Sequence, residues 1–292
     1  MKQLLRKSLP LTVLALSMQS ALAQEVAPEI PTGIVANPCL PLPVMTENVR
    51  TLLTELFMEP HSLTQADFSR LMGSAEFSSY NAGNQRMGNS DWPGLCRFRA
   101  GNTRLQTAGI TPRIVFMGDS ITENWLLGDP TLFSDMQVNR GIGGQTAPQM
   151  LARFRADVVA LQPGSVHIMA GTNDIAGNTG PSTMQDFRNN IMSMAELAHA
   201  HGIAVILASV PPAAGFTWQP AIDPVPQIRD MNTWLQQYAA QNGFGYIDYY
   251  SALVGSKREL RAELGNDGVH PNRDGYSIMR RLLDQQLAAP AQ

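Results

Sequence analysis

Ile114-Val115-Phe116-Met117-Gly118-Asp119-Ser120 decides the fold, because four consecutive apolar residues run straight into a short turn-forming triplet. A brief unbroken apolar run closed by such a turn is the pattern of a strand buried on both faces. A serine placed where the chain leaves that strand stands at the start of a helix, where free N–H groups and the helix dipole favour developing negative charge. Ser120 is therefore a candidate nucleophile, although a plain helix-capping serine would occupy the same place. Asp119 reads as structural, accepting local backbone donors in the turn.

Outward from this stretch, apolar runs alternate with helical patterns. The strands are read at Ile114 to Met117, Gln137 to Asn139, Val166 to Ala170, Ala204 to Ser209 and Gly245 to Tyr249. The helices between them are Thr146 to Leu161, beginning beside Pro148; Ser182 to Ala200, with Ser182 and Gln185 in capping-box spacing; and Pro226 to Asn242, ended by Gly243. A last helix follows Pro271-Asn272 and runs to about Leu287. Such alternation predicts a three-layer α/β domain with a parallel sheet, whose ligand crevice lies beyond the carboxyl ends of the strands.

Four patches fall at that edge: Gly118 to Ser120, Gly141 to Thr146 (Gly-Ile-Gly-Gly-Gln-Thr), Gly171 to Asp174 (Gly-Thr-Asn-Asp) and Asp267 to His270 (Asp-Gly-Val-His). Each alone is weak, and their convergence carries the reading. Gly144 lets a backbone N–H approach a ligand closely, and Asn173 supplies a side-chain amide. With the Ser120 N–H they make an oxyanion hole, each donor worth about 3 kcal/mol of barrier. Asp267 can hold one ring nitrogen of His270 and leave the other to take the Ser120 proton, while Pro271 keeps His270 on extended backbone. The remaining histidines, His61, His167, His199 and His201, have no cysteine or carboxylate at metal-ligand spacing, so no metal site is expected.

In these blocks the chain resembles the SGNH hydrolases, also called the GDSL family, over about residues 113 to 287. The resemblance implies a flavodoxin-like five-stranded sheet, a serine nucleophile outside a Gly-x-Ser-x-Gly elbow, the site residues Ser120, Gly144, Asn173, Asp267 and His270, and no cofactor. The Gly-Ile-Gly-Gly and Gly-Thr-Asn forms look nearest to the branch that holds the platelet-activating-factor acetylhydrolase catalytic subunits and many secreted bacterial esterases. That leans the substrate towards acetyl or other short acyl esters, a decorated carbohydrate among them. A lysophospholipase or thioesterase-type acyl hydrolase is the alternative, and a non-catalytic glycan-binding member of the fold a third reading. A dinucleotide site is disfavoured, since Thr146 stands where the fingerprint beginning at Gly141 needs Gly or Ala.

The residues before the domain carry other information. Lys2, Arg6 and Lys7, an apolar stretch from Leu9 to Leu16, and Ala21-Leu22-Ala23 have the layout of a cleaved secretory signal over residues 1–23, too short in its apolar part for a spanning helix. Export to the periplasm or beyond is expected, with no stable membrane anchor. In an oxidising compartment the two cysteines, Cys39 and Cys96, are expected to form a disulfide. Residues 24–109 read as a mainly helical and irregular extension. One helical pattern spans Thr46 to Met58, a second begins near Thr64 with Phe68, Leu71 and Met72, and Ser78 to Asp91 reads as loop. No chemistry attaches to this extension in the sequence. Residues 110–289 are read as the hydrolase domain that the resemblance implies. A length of 292 residues with 44% hydrophobic content supports a full core, and a net charge of −3 without a basic run gives no footprint for nucleic acid. The partner expected is a small-molecule or glycan ester. The connection from Pro211 to Pro226, with Phe216 and Trp218, is placed to wall or lid the site.

Overall fold

The computed structural model describes residues 33–61 and 63–288. The predicted signal segment, residues 1–23, lies outside them.

Five parallel strands form one sheet: β1 (Ile114–Gly118), β2 (Gln137–Gly141), β3 (Ser165–Met169), β4 (Ala204–Ala208) and β5 (Gly245–Ile247), in the order β2-β1-β3-β4-β5. The three-layer α/β/α arrangement read from the alternation is what forms. Period two sorts the strand side chains between the layers. Val115 and Met117 join Val166, Ile168 and Leu207 in one buried cluster, and Ile114 and Phe116 join Met169 and Ile206 in the other. The first layer is closed by α6 (Ala147–Asp157), α8 (Met184–Ala200) and α9 (Val225–Asn242). The second holds α5 (Ser120–Gly128), α10 (Tyr249–Leu253) and α11 (Arg273–Ala288). A short α7 (Thr172–Ile175) follows β3.

The chain runs from β1 outward to β2 and then crosses back to β3 on the other side of β1. The end of β1 is thus the topological switch point, where ligand crevices form in such sheets. Ser120 stands there.

Two helix starts differ from the sequence reading. Helix α8 is capped by Thr183, whose hydroxyl accepts from the Asp186 N–H at 3.1 Å, while the Asp186 carboxylate accepts from the Thr183 N–H at 2.9 Å. Ser182 and Gln185 have the same spacing one residue earlier, but Asp, a stronger acceptor than Gln, fixes the register. Likewise Tyr249 does not end β5; Asp248 caps α10 by accepting from the Ser251 N–H at 2.9 Å.

Among the described residues four α-helices precede the sheet. α1 (Glu47–Leu53) runs into a π-helical turn, Thr54–Met58, and α2 (Gln65–Gly73), α3 (Ala75–Ser90) and α4 (Arg99–Thr107) follow. The segment Ser78 to Asp91 is therefore helix, not loop. Its Asn, Gly and Ser content belongs to a helix that buries no residue fully. Gly83 also has a packing reason, since a Cβ there would meet Pro43 Cβ at 2.7 Å. Ser74 starts this helix by accepting from the Phe77 N–H at 3.2 Å. Cys39 and Cys96 are joined by a disulfide with a Cα separation of 5.4 Å, which ties the chain ahead of α1 to the segment ahead of α4. Met58 is wholly buried in the second core cluster, so the extension and the domain share packing.

Candidate active site

At the end of β1, Gly118 has no room for a side chain, because a Cβ would clash with the Thr122 hydroxyl. Asp119 then caps α5, its carboxylate accepting from the Ile121 N–H at 2.9 Å. With the capping role taken by Asp119, the Ser120 hydroxyl at the first position of the helix is left for another partner. Its Oγ lies 2.8 Å from His270 Nε2. The other ring nitrogen, Nδ1, lies 2.6 Å from Asp267 Oδ2. The Asp267 loop is fixed by its own backbone, with Oδ1 accepting from the N–H groups of Val269 at 2.9 Å and His270 at 2.8 Å.

The electrostatics suit a proton acceptor. Burial alone would push the His270 imidazole down, but the Asp267 carboxylate in contact with it raises it above the ordinary histidine value. For Asp267, burial pulls upward and the opposing attraction of His270 with its hydrogen bonds holds the carboxyl below its ordinary value. The pair thus favours a charged imidazolium over an isolated one.

The predicted donors line the same cavity. Gly144 sits at φ +76°, a left-handed conformation suited to glycine. Its loop is held at both ends. The Gly143 N–H donates to Glu123 Oε2 at 2.7 Å, and Glu123 Oε1 accepts from Arg97 at 2.8 Å. Gln145 accepts from the buried Arg153 guanidinium at 2.7 Å and donates to the Pro93 carbonyl at 2.8 Å. Arg153 itself is paired with Asp157 at 3.0 Å and donates to the carbonyls of Gly118 and Arg140, at the ends of β1 and β2. None of this buried network was marked by the sequence, in which Arg153 looks like an ordinary surface position of α6.

Asn173 faces the same cavity as Ser120, Gly144 and His270. Its amide nitrogen donates to Gln145 O at 3.1 Å and to Asp119 Oδ2 at 3.2 Å. Asn178, which the sequence reading missed, donates to Asn173 Oδ1 at 2.8 Å and to the Gly144 carbonyl at 3.1 Å. Asn178 Oδ1 in turn accepts from Trp218 Nε1 at 3.2 Å. The only signal for Asn178 was its place five residues after Asn173. Of the two aromatic residues expected at the rim, Trp218 lines the cavity. Phe216 is instead 98% hidden in the first core cluster with Trp218 stacked on it, their centroids 5.0 Å apart.

Two further carboxyls stand behind the site. Burial pushes Asp119 up to about 6 and Asp174 up to about 7. Asp174 accepts from the Ala147 N–H with both oxygens at 3.1 Å, closing the start of α6. His167 is away from the cavity. It is enclosed by Phe116, Trp125 and Tyr249, and burial lowers it to about 3, so it stays neutral in the core.

Residues 116–278, more than half of the chain, match the model of the GDSL-like lipase/acylhydrolase family. The chain belongs to that family. The family places it among hydrolases that act on esters. A GDSL-like lipase of Bacteroides thetaiotaomicron is 43% identical, with a TM-score of 0.64 over 67% of this chain and 97% of that one. A Bacteroides fragilis protein assigned as an acylhydrolase is 45% identical, with a TM-score of 0.64 over 67% of this chain and 96% of that one. A curated relative, the uncharacterized lipoprotein YqeF of Bacillus subtilis, is 40% identical over 78 residues, 26% of this chain and 32% of that protein. The chain thus spans about a third of the length of that curated relative. Among the described residues no helix is long and apolar enough to cross a membrane.

Proposed function

We propose that this GDSL-family chain is an exported serine ester hydrolase working through an acyl-enzyme. The observation that carries the reading is the relay from Ser120 Oγ to His270 Nε2, 2.8 Å, and from His270 Nδ1 to Asp267 Oδ2, 2.6 Å. In the proposed reaction Ser120 Oγ attacks the ester carbonyl as His270 takes its proton. The tetrahedral oxyanion is received by the N–H groups of Ser120 and Gly144 and by the Asn173 amide. Asn173 gives up the longer of its two present bonds, that to Asp119, in exchange for a charged acceptor, which is the stronger partner. His270 then protonates the leaving alcohol, and water, deprotonated by the same ring, releases the acid and restores Ser120.

Export is supported by the signal-like layout of residues 1–23 and by the Cys39–Cys96 disulfide, a bond that persists in oxidising compartments. For the substrate, the acetyl preference suggested by the resemblance and the longer-chain alternative differ in how much of the site they fill. The triad opens on a cavity of about 560 Å³, of which an acetyl group would take a small part.

The test is Ser120→Ala assayed on p-nitrophenyl esters. Loss of at least a thousandfold in kcat with an unchanged melting temperature is expected, and activity within threefold of the unaltered enzyme contradicts the mechanism.

A further inference from the structure

The lining that α1, its π-helical turn, α2 and α3 give to the cavity of Ser120 and His270 is apolar except for Asn81, and it lies outside the residues that match the family. Leu53, Phe57 and Met58 come from α1 and its π-helical turn, Phe68 and Leu71 from α2, and Phe77 from α3. Gly144, Asn173 and Asn178 are among the polar residues of the same lining. Apart from Asp267 and His270, no charged side chain lines the cavity among the described residues. We propose that α1–α3 form a hydrophobic substrate chamber, which selects esters carrying an apolar chain several carbons long over acetyl esters of polar alcohols. The proposal rests on the serine-hydrolase reading of the same site.

Three observations support it. The first is size: about 560 Å³ is in the range of a built small-molecule site and well beyond what an acetyl group requires. The second is exposure. Phe68 remains 43% exposed at the cavity although the helix that carries it is packed on its neighbours through Leu71. A large apolar side chain left open at a pocket is the surface a ligand covers.

The third is anchoring to the catalytic loop. Asn266, adjacent to Asp267, donates to the carbonyls of Leu56 at 2.8 Å and Glu59 at 2.7 Å, the two ends of the stretch that carries Phe57 and Met58. Arg273, at the start of α11, pairs with Glu59 at 2.9 Å. The apolar wall is therefore fixed in place relative to His270. The same anchoring means that truncation would disturb the Asp267 loop, so point substitutions within the intact chain are the proper probe.

The experiment compares kcat/KM along p-nitrophenyl acetate, butyrate and octanoate, and along acetyl esters of alcohols of matching length, in the unaltered enzyme and in Phe68→Asn and Phe77→Asn. Each methylene buried is worth about fourfold. In one of the two series kcat/KM should rise at least tenfold from the shortest to the longest member. Both variants should cut that long-to-short ratio at least tenfold while melting cooperatively. Phe68 is exposed enough for its variant to fold even if Phe77→Asn does not. Rates that are flat or falling with length in both series overturn the proposal, as does a length preference that survives in the folded variants. Ser120→Ala run alongside reports separately on the serine reading: undiminished hydrolysis there refutes the nucleophile, while the length profile still reads the chamber.

Discussion

Asn178 donates to Asn173 Oδ1 at 2.8 Å, and through its second amide proton it also holds the Gly144 carbonyl. One side chain thereby sets the distance between two of the proposed oxyanion donors without touching the reacting atoms. Asn178→Ala should lower kcat about tenfold with KM changed less than threefold. Asn173→Ala, which removes a donor outright, should cost about 10² to 10³. Steady-state kinetics on a short ester separate the two; an Asn178→Ala effect confined to KM would mean that the residue contacts substrate instead.

The pH profile follows from the Asp267–His270 pair. The base must be neutral to accept the Ser120 proton, and the neighbouring carboxylate raises His270 above its ordinary value. kcat/KM should climb with pH, with its midpoint above about 6.5. Asp267→Asn should move that midpoint down and lower the plateau. A profile flat from pH 5 to 9 in stable enzyme would contradict the assignment.

Asp174 makes a stability prediction of definite sign. Burial raises its carboxyl in the folded protein to about 7, above the ordinary aspartate value of 3.8. The protonated form is therefore the one the fold favours, and its contribution, complete below about pH 4, is lost as pH rises to about 7. Asp174→Asn keeps an acceptor for the Ala147 N–H without the buried charge. Its melting temperature should fall less than that of the unaltered protein between pH 5 and 8. Parallel pH dependences of the two proteins would show that Asp174 titrates elsewhere.

The disulfide closes a loop with a sequence separation of 57, for which chain entropy gives at most about 4 kcal/mol. Reductant should lower the melting temperature of the unaltered protein and leave that of the Cys39→Ser, Cys96→Ser double variant unchanged. Equal melting with and without reductant would remove this contribution.

The sheet was legible because the strands are short, all but the polar β2 (Gln137–Gly141) carry apolar runs, and Gly118, Gly141 and Gly171 mark strand ends or the turns just beyond. The candidate site residues stood out because Ser120 and Asn173 are chemistry-bearing residues just past β1 and β3, and Asp267 and His270 are an acid-base pair in the loop ahead of α11. What escaped depends on distant packing. Arg153 is buried only because Gln145, Asp157 and two strand-end carbonyls converge on it. The helix Ala75–Ser90 contradicts its own composition, since none of its polar residues is fully buried and Gly83 answers to Pro43. The apolar chamber lining, Leu53 to Phe77, is far in sequence from Ser120 and His270, a relation that no local pattern reports.

The central claim, that Ser120 is the nucleophile activated by His270, is tested most directly by treating the protein with a fluorophosphonate and mapping the modified peptide by mass spectrometry. A single stoichiometric adduct on Ser120 is expected, formed in parallel with loss of esterase activity and suppressed in His270→Ala. Complete inactivation with Ser120 unmodified, or full activity in protein carrying the Ser120 adduct, would contradict it.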